Sequence, residues 1–188
     1  MRILLINEYA ESRGTEQIVQ EQLKIFKYHG HQVQCLCFAF NPFKRYNYIN
    51  DDYHIIPIPK IGKIFFLPHI YLKLRRYITQ INPEIIILHN IFSSPFTVYK
   101  ALNGYNVYQI VHDYKIVCPT SYCILLRKNN AICTGYKHNI CTRECTTSII
   151  NSIKLKIKLA LVRQVEKLRK KYVTLIPQHY NLTLFISS

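Results

Sequence analysis

The stretch "NPEIIILHNIFSSP", residues 82–95, decides how the chain is read. Its run Ile85–Leu88 is apolar without alternation, the pattern of a strand buried on both faces. Asn82-Pro83 opens the run. Ser94-Pro95 then gives a helix start, with serine as cap and proline at the first helical position. That helix is expected to end near Gly104, and "NVYQIV", residues 106–111, returns as a strand.

The same alternation extends in both directions. Upstream, "RILLI" (Arg2–Ile6) reads as a first strand, followed by a loop and the helical stretch "TEQIVQEQLKIFKYHG". Val19, Leu23 and Phe26 share one face of that helix, and Gly30 is placed to end it. "HQVQCLCF" reads as the next strand, and "HIIPI" (His54–Ile58) as an edge strand, since Pro57 has no N–H to give to a ladder. Downstream come a helix over about 149–171 and short strands at "YVTLI" and "LTLFIS". Strand–helix–strand repetition predicts an α/β, Rossmann-like fold with a mainly parallel sheet and helices on both faces. One domain over residues 1–188 is expected from the length and the 49% hydrophobic content.

Residues 113–148 show no clear period and hold five of the seven cysteines: Cys118, Cys123, Cys133, Cys141 and Cys145. Their spacing is C-x4-C-x9-C-x7-C-x3-C, with His138 among them. Zinc sites favour tighter pairs such as C-x2-C, so structural zinc, buried free thiols and disulfides all remain open for this loop. Cys35 and Cys37 sit one residue apart in a strand and read as core packing.

The formal net charge of +15 excludes no anionic partner and suits several: nucleic acid, an acidic lipid surface or a phosphorylated substrate. The plain alternative is a basic surface that keeps the protein in solution. No apolar run approaches the roughly 18 residues of a membrane-spanning helix. Before Asn7 the chain has too few apolar residues for a signal-peptide core of about 7–15. A cytoplasmic protein is therefore expected. Two segments could still lie on an anionic membrane surface: "IGKIFFLPHIYLKLRRY" and "SIKLKIKLALVRQVEKLRKK". In the second, Leu155, Leu159 and Val162 add a further apolar row and favour a core-packing helix.

In parallel sheets ligands bind beyond the carboxyl ends of the strands. Three loops leave such ends: residues 7–14, 89–94 and 112–114. His89, Asn90, His112 and Asp113 would then share a rim with Gly14 and Thr15 at a helix N-terminus. Free N–H groups at such a terminus favour phosphate, although one glycine before a helix is a common feature and the G-x-G-x-x-G pattern is absent.

"RILLINEYAESRGTEQIVQEQLKIFKYHGHQV", "PEIIILHNIFSSP" and "VYQIVHDYKIVCP" occur in that order and resemble the hallmark segments of family 4 nucleotide-sugar glycosyltransferases. The resemblance covers essentially the whole chain and extends to a cysteine loop found in a subset of the family. It implies the N-terminal, acceptor-binding half of a GT-B enzyme, with retaining transfer from a nucleotide-diphosphate sugar to a saccharide or lipid-linked acceptor, as in polysaccharide biosynthesis. It implies that His112 lies near the donor sugar, with Asp113 orienting or capping. Arg13, Gly14, Thr15, His89, Asn90 and Tyr114 would bind donor or acceptor. Arg13 departs from the family pattern, standing where a first glycine is usual.

The resemblance requires no cofactor for chemistry, and it implies a location in the cytoplasm, including the inner face of the membrane. It stops at "LTLFISS", where family enzymes lead into the domain that holds most of the nucleotide diphosphate. The isolated chain is thus expected to need a C-terminal half or a partner chain. A different class stays in view: a non-catalytic, basic nucleic-acid-binding module with a metal-stapled loop. It lacks an RNA-binding aromatic signature and a clustered basic tail.

Overall fold

The computed structural model describes residues 1–9, 14–39, 51–63, 65–91, 94–112 and 149–177. The chain divides into two units, one of residues 1–112 with 169–188 and the other of residues 113–168.

The first unit is built on six strands: β1 (Arg2–Asn7), β2 (Gln32–Ala39), β3 (Tyr53–Pro57), β4 (Ile85–Leu88), β5 (Val107–Val111) and β6 (Thr174–Pro177). Their order is β3-β2-β1-β4-β5-β6, and every pairing is parallel. β1 is central, with Leu5 opposite Cys35 on one side and Ile87 on the other. The edge position of β3 suits Pro57, which has no N–H for an outer neighbour.

Each face of the sheet is covered, which explains the unbroken apolar runs. On one face Val19, Leu23 and Phe26 of helix α1 (Gly14–Tyr28) pack on Ile3, Leu5, Val33, Cys35, Cys37 and Ile87. Alternation along the strands turns Leu4, Ile6, Leu36, Ile86 and Leu88 the other way, all of them fully buried. Helix α2 (Pro68–Ile81) lies on that face: Tyr77 donates to Gln34 Oε1 at 3.0 Å and its ring stacks on His54. Ile70, Leu74 and Ile78 recur every four residues and form its buried row.

The helix ends follow local chemistry. α1 closes with Gly30 at φ 76°, His31 N bonding Phe26 O and Gly30 N bonding Lys27 O, a Schellman arrangement. α2 closes on Asn82 in the left-handed region, φ 50°, with its N–H on Ile78 O, and Pro83 prevents continuation.

Helix α3 (Pro95–Ala101) has proline at its start as the sequence predicts, but the Ser94 side chain makes no cap bond and is buried. Among the described residues its hydroxyl has no partner. α3 also ends earlier than expected, at Ala101, and the chain turns through Gly104 at φ 88°. The carbonyls left at this end are met by the Arg75 guanidinium, which donates to Ala101 O at 3.2 Å and Asn103 O at 2.8 Å.

Helix α4 (Ile149–Tyr172) runs from the second unit into the first. Ile157 on it is exposed, while Leu161, Val165 and Leu168 are half-buried. The expected strand "LTLFIS" and the cysteine loop 113–148 lie outside the described residues. No helix among those described is long and apolar enough to cross a membrane.

Candidate functional site

Parallel pairing in the order β1-β4-β5 brings the carboxyl ends of these strands side by side on one rim. Asn7 ends β1, and Glu8 follows it. His89 and Asn90 follow β4, and His112 follows β5. α1 starts at Gly14, so its first turn belongs to the loop leaving β1.

His89 is fixed from several directions. Its N–H donates to Ile6 O at 2.8 Å, extending the ladder with β1 by one residue. Its carbonyl accepts from Gln109 Nε2 at 3.2 Å, and Gln109 Oε1 accepts from the Tyr99 hydroxyl at 3.0 Å. All three side chains are buried, so each bond replaces water that cannot reach the group. Burial pushes the Tyr99 phenol up to about 12, against smaller opposing effects of Gln109 and Arg169.

The His89 ring meets His112. Nδ1 of the first lies 2.7 Å from Nε2 of the second, with planes 14° apart and centroids 5.0 Å apart. One nitrogen must donate and the other accept, so the bond requires at least one neutral ring. Burial first, and then the nearby His112, lower His89 to about 3, so its imidazole is neutral at pH 7. Its other nitrogen, Nε2, is buried and has no partner among the described residues. The same holds for Asn7 Oδ1 on this rim. Buried polar atoms without partners are uncommon and point to water, an ion or a ligand.

A second tie joins Asn90 to Thr15, Nδ2 to Oγ1 at 3.3 Å, linking the loop after β4 to the first turn of α1. Thus His89 with His112, and Asn90 with Thr15, are brought into contact, and Gly14 stands next to Thr15. Gly14 is exposed, with open space where a Cβ would lie. Arg13, Asp113, Tyr114 and Cys118, Cys123, Cys133, Cys141 and Cys145 lie outside the described residues. Among the described residues no group of three or more His, Cys, Asp or Glu is arranged to hold a metal.

Sequence reading overlooked two carboxylates under the rim. Glu8 is 1% exposed and Glu16 8%. Asn7 Nδ2 donates to Tyr9 O at 2.9 Å and, more weakly, to Glu16 Oε1 at 3.4 Å. Cys37 donates to Tyr9 O at 3.3 Å. Its thiol is raised well above the usual value by its contact with Cys35, 3.6 Å away, then by burial and by the charges of Cys35, Glu16 and Glu8. The position of Glu8, directly after a strand, was the available signal. Gln109 was likewise visible as a polar residue inside an apolar strand.

A groove of about 360 Å³ lies at the opposite, amino-end rim, lined by Arg2, Gln32, Gln34, His54, Tyr77 and Gln80 among others. Several of its polar groups are already occupied: Arg2 Nε on Asn82 O at 2.7 Å, and Tyr77 on Gln34. The carboxyl-end rim, by contrast, holds the start of α1 and the buried Nε2 of His89, which has no partner among the described residues.

No family model and no curated protein matches this chain.

Proposed function

We propose that the chain is the acceptor-side domain of a retaining, family 4-like glycosyltransferase of GT-B architecture. It would act on a nucleotide-diphosphate sugar and a saccharide or lipid-linked acceptor. The observation that supports this reading best is the contact between His89 and His112 on the rim that also carries Thr15 and the start of α1. Its residues match the resemblance motif by motif, and its geometry suits the chemistry that the motifs imply.

In this proposal His112, half-buried at the end of β5, offers a hydrogen bond to the donor sugar. His89 is a positioning residue that holds the His112 ring. Departure of a nucleotide diphosphate develops negative charge, which N–H groups at the α1 terminus help to stabilise. Glu8 and Glu16 add negative charge under the rim. The diphosphate therefore needs cations and donors beyond these residues, which fits a separate donor-binding domain.

The test is nuclear magnetic resonance of the 188-residue chain titrated with uridine- and guanosine-diphosphate sugars. Weak binding, with shifts at Gly14, Thr15, His89 and His112, is expected. Shifts confined to the amino-end groove, or tight binding by this chain alone, would overturn the assignment.

A further inference from the structure

We propose that Asn7 is a positioning residue for the imidazole pair and acts through its protons. The Asn7 side-chain oxygen keeps the hydrogen of His89 on Nε2, so that His89 Nδ1 accepts from His112 and His112 is left with Nδ1 for a ligand. The proton arrangement stands on the buried contacts alone, and only the identity of the ligand rests on the transferase reading.

Asn7 and His89 are neighbours across the sheet. β1 and β4 pair as far as Ile6 and Leu88, and the backbone bond from His89 N to Ile6 O carries the pairing one residue further. Leu5 and Ile87 pack under α1, so Asn7 and His89, each two residues on, point to the same face. The bond from Asn7 to Glu16, in the first turn of α1, agrees. Both side chains are fully buried. The Asn7 amide has one orientation only. Its Nδ2 donates to Tyr9 O and to the Glu16 carboxylate, and exchanging the amide atoms would set oxygen against oxygen. Oδ1 is thus a buried acceptor without a donor among the described residues, beside His89 Nε2, which likewise has no partner there.

The oxygens on this side, Asn7 Oδ1, Tyr9 O and the Glu16 carboxylate, all accept. Cys37, opposite Asn7 in β2, directs its hydrogen to Tyr9 O. An imidazole nitrogen that faces acceptors keeps its hydrogen, because a bare one would set lone pair against lone pair in a buried place. One water can complete the contact, accepting from Nε2–H and donating to Oδ1. The His89 ring is neutral and so carries a single ring hydrogen. With that hydrogen on Nε2, Nδ1 is bare, and the 2.7 Å contact is a bond donated by His112 Nε2–H. In its neutral form His112 then has a bare Nδ1. A sugar hydroxyl can donate to it, and a phosphate oxygen cannot. The rim thereby divides its tasks: His112 reads a hydroxyl, and the N–H groups at the start of α1 are left for phosphate.

The readout is the long-range proton–nitrogen spectrum of the histidine rings in the nitrogen-15-labelled full chain at neutral pH, which separates protonated from bare ring nitrogens. His89 should show a protonated Nε2 and a bare Nδ1, and His112 a protonated Nε2. Asn7→Leu, similar in volume and without an acceptor, should remove the preference and move the two His89 nitrogen shifts toward each other. A merely structural Asn7 would lower the unfolding temperature of this variant and leave the ring pattern alone. If Asn7→Leu does not fold, Asn7→Ala replaces it, and the wild-type spectrum decides the proton arrangement without either.

A wild-type His89 with its hydrogen on Nδ1 overturns the proposal, and so does an unchanged His89 pattern in a folded Asn7 variant. Inorganic phosphate should leave His112 Nδ1 bare. A proton appearing on that nitrogen when phosphate is added would make phosphate its ligand and overturn the hydroxyl assignment. None of these results is the one that ends the transferase reading, which fails on shifts confined to the amino-end groove with nucleotide-diphosphate sugars.

Discussion

His89 and His112, 23 residues apart, share an imidazole–imidazole contact of 2.7 Å across the ends of adjacent parallel strands. The contact needs a neutral partner, and the buried ring of His89 supplies it.

Stability should therefore fall in mild acid. His89 has a folded value near 3, below the roughly 6.5 of an exposed imidazole, so between these limits the unfolded chain binds more protons. Its contribution is complete above about pH 6.5 and is lost as pH falls toward 3. From pH 7 to 5 the loss should be about 2 kcal/mol. Urea unfolding at several pH values should show this slope, and His89→Asn should flatten it. An unchanged slope in that variant would show that His89 is not the titrating group.

The Tyr99–Gln109–His89 chain should behave as one unit. Gln109→Leu leaves the Tyr99 hydroxyl and the His89 carbonyl without their bonds in a buried place, at about 2–4 kcal/mol. Tyr99→Phe alone should cost about 1 kcal/mol. A double-mutant cycle by chemical denaturation should give less than the sum of the two. Strict additivity would mean that the bonds are independent.

Gly30 tests the backbone alone. A Cβ there would meet nothing within 4 Å, yet φ is 76°. Gly30→Ala should thus destabilise by about 1–2 kcal/mol through conformation and not through a clash. Thermal unfolding of the variant measures it, and a neutral result would place residue 30 outside the left-handed region.

His112 carries the functional wager. In a transfer-competent form of the protein, His112→Ala should lower kcat/KM by about a hundredfold or more while changing unfolding energy far less. His89→Asn should give a smaller loss and a shifted pH profile, since it acts through His112. Full activity in a folded His112→Ala variant would remove this residue from the site.

Local pattern determined much of this protein. Ile85–Leu88 announced a buried strand because covered faces demand unbroken apolar residues, Asn82-Pro83 marked where that strand opens, and Gly30 marked a helix end because its backbone preference is intrinsic. Strand–helix alternation then implied parallel pairing, and parallel pairing implied a shared rim for His89, Asn90 and His112. The Ser94 hydroxyl went otherwise: its position predicts a cap bond, but tertiary packing buries it without one. Only the folded sheet decided that β4 lies between β1 and β5, and that register brings two imidazoles into contact. Only packing placed Glu8 and Glu16 beneath the rim and made Gln109 a brace for His89. Periodicity reports which way one segment faces. The neighbours a side chain meets depend on crossovers between segments distant in sequence, and no local preference encodes them.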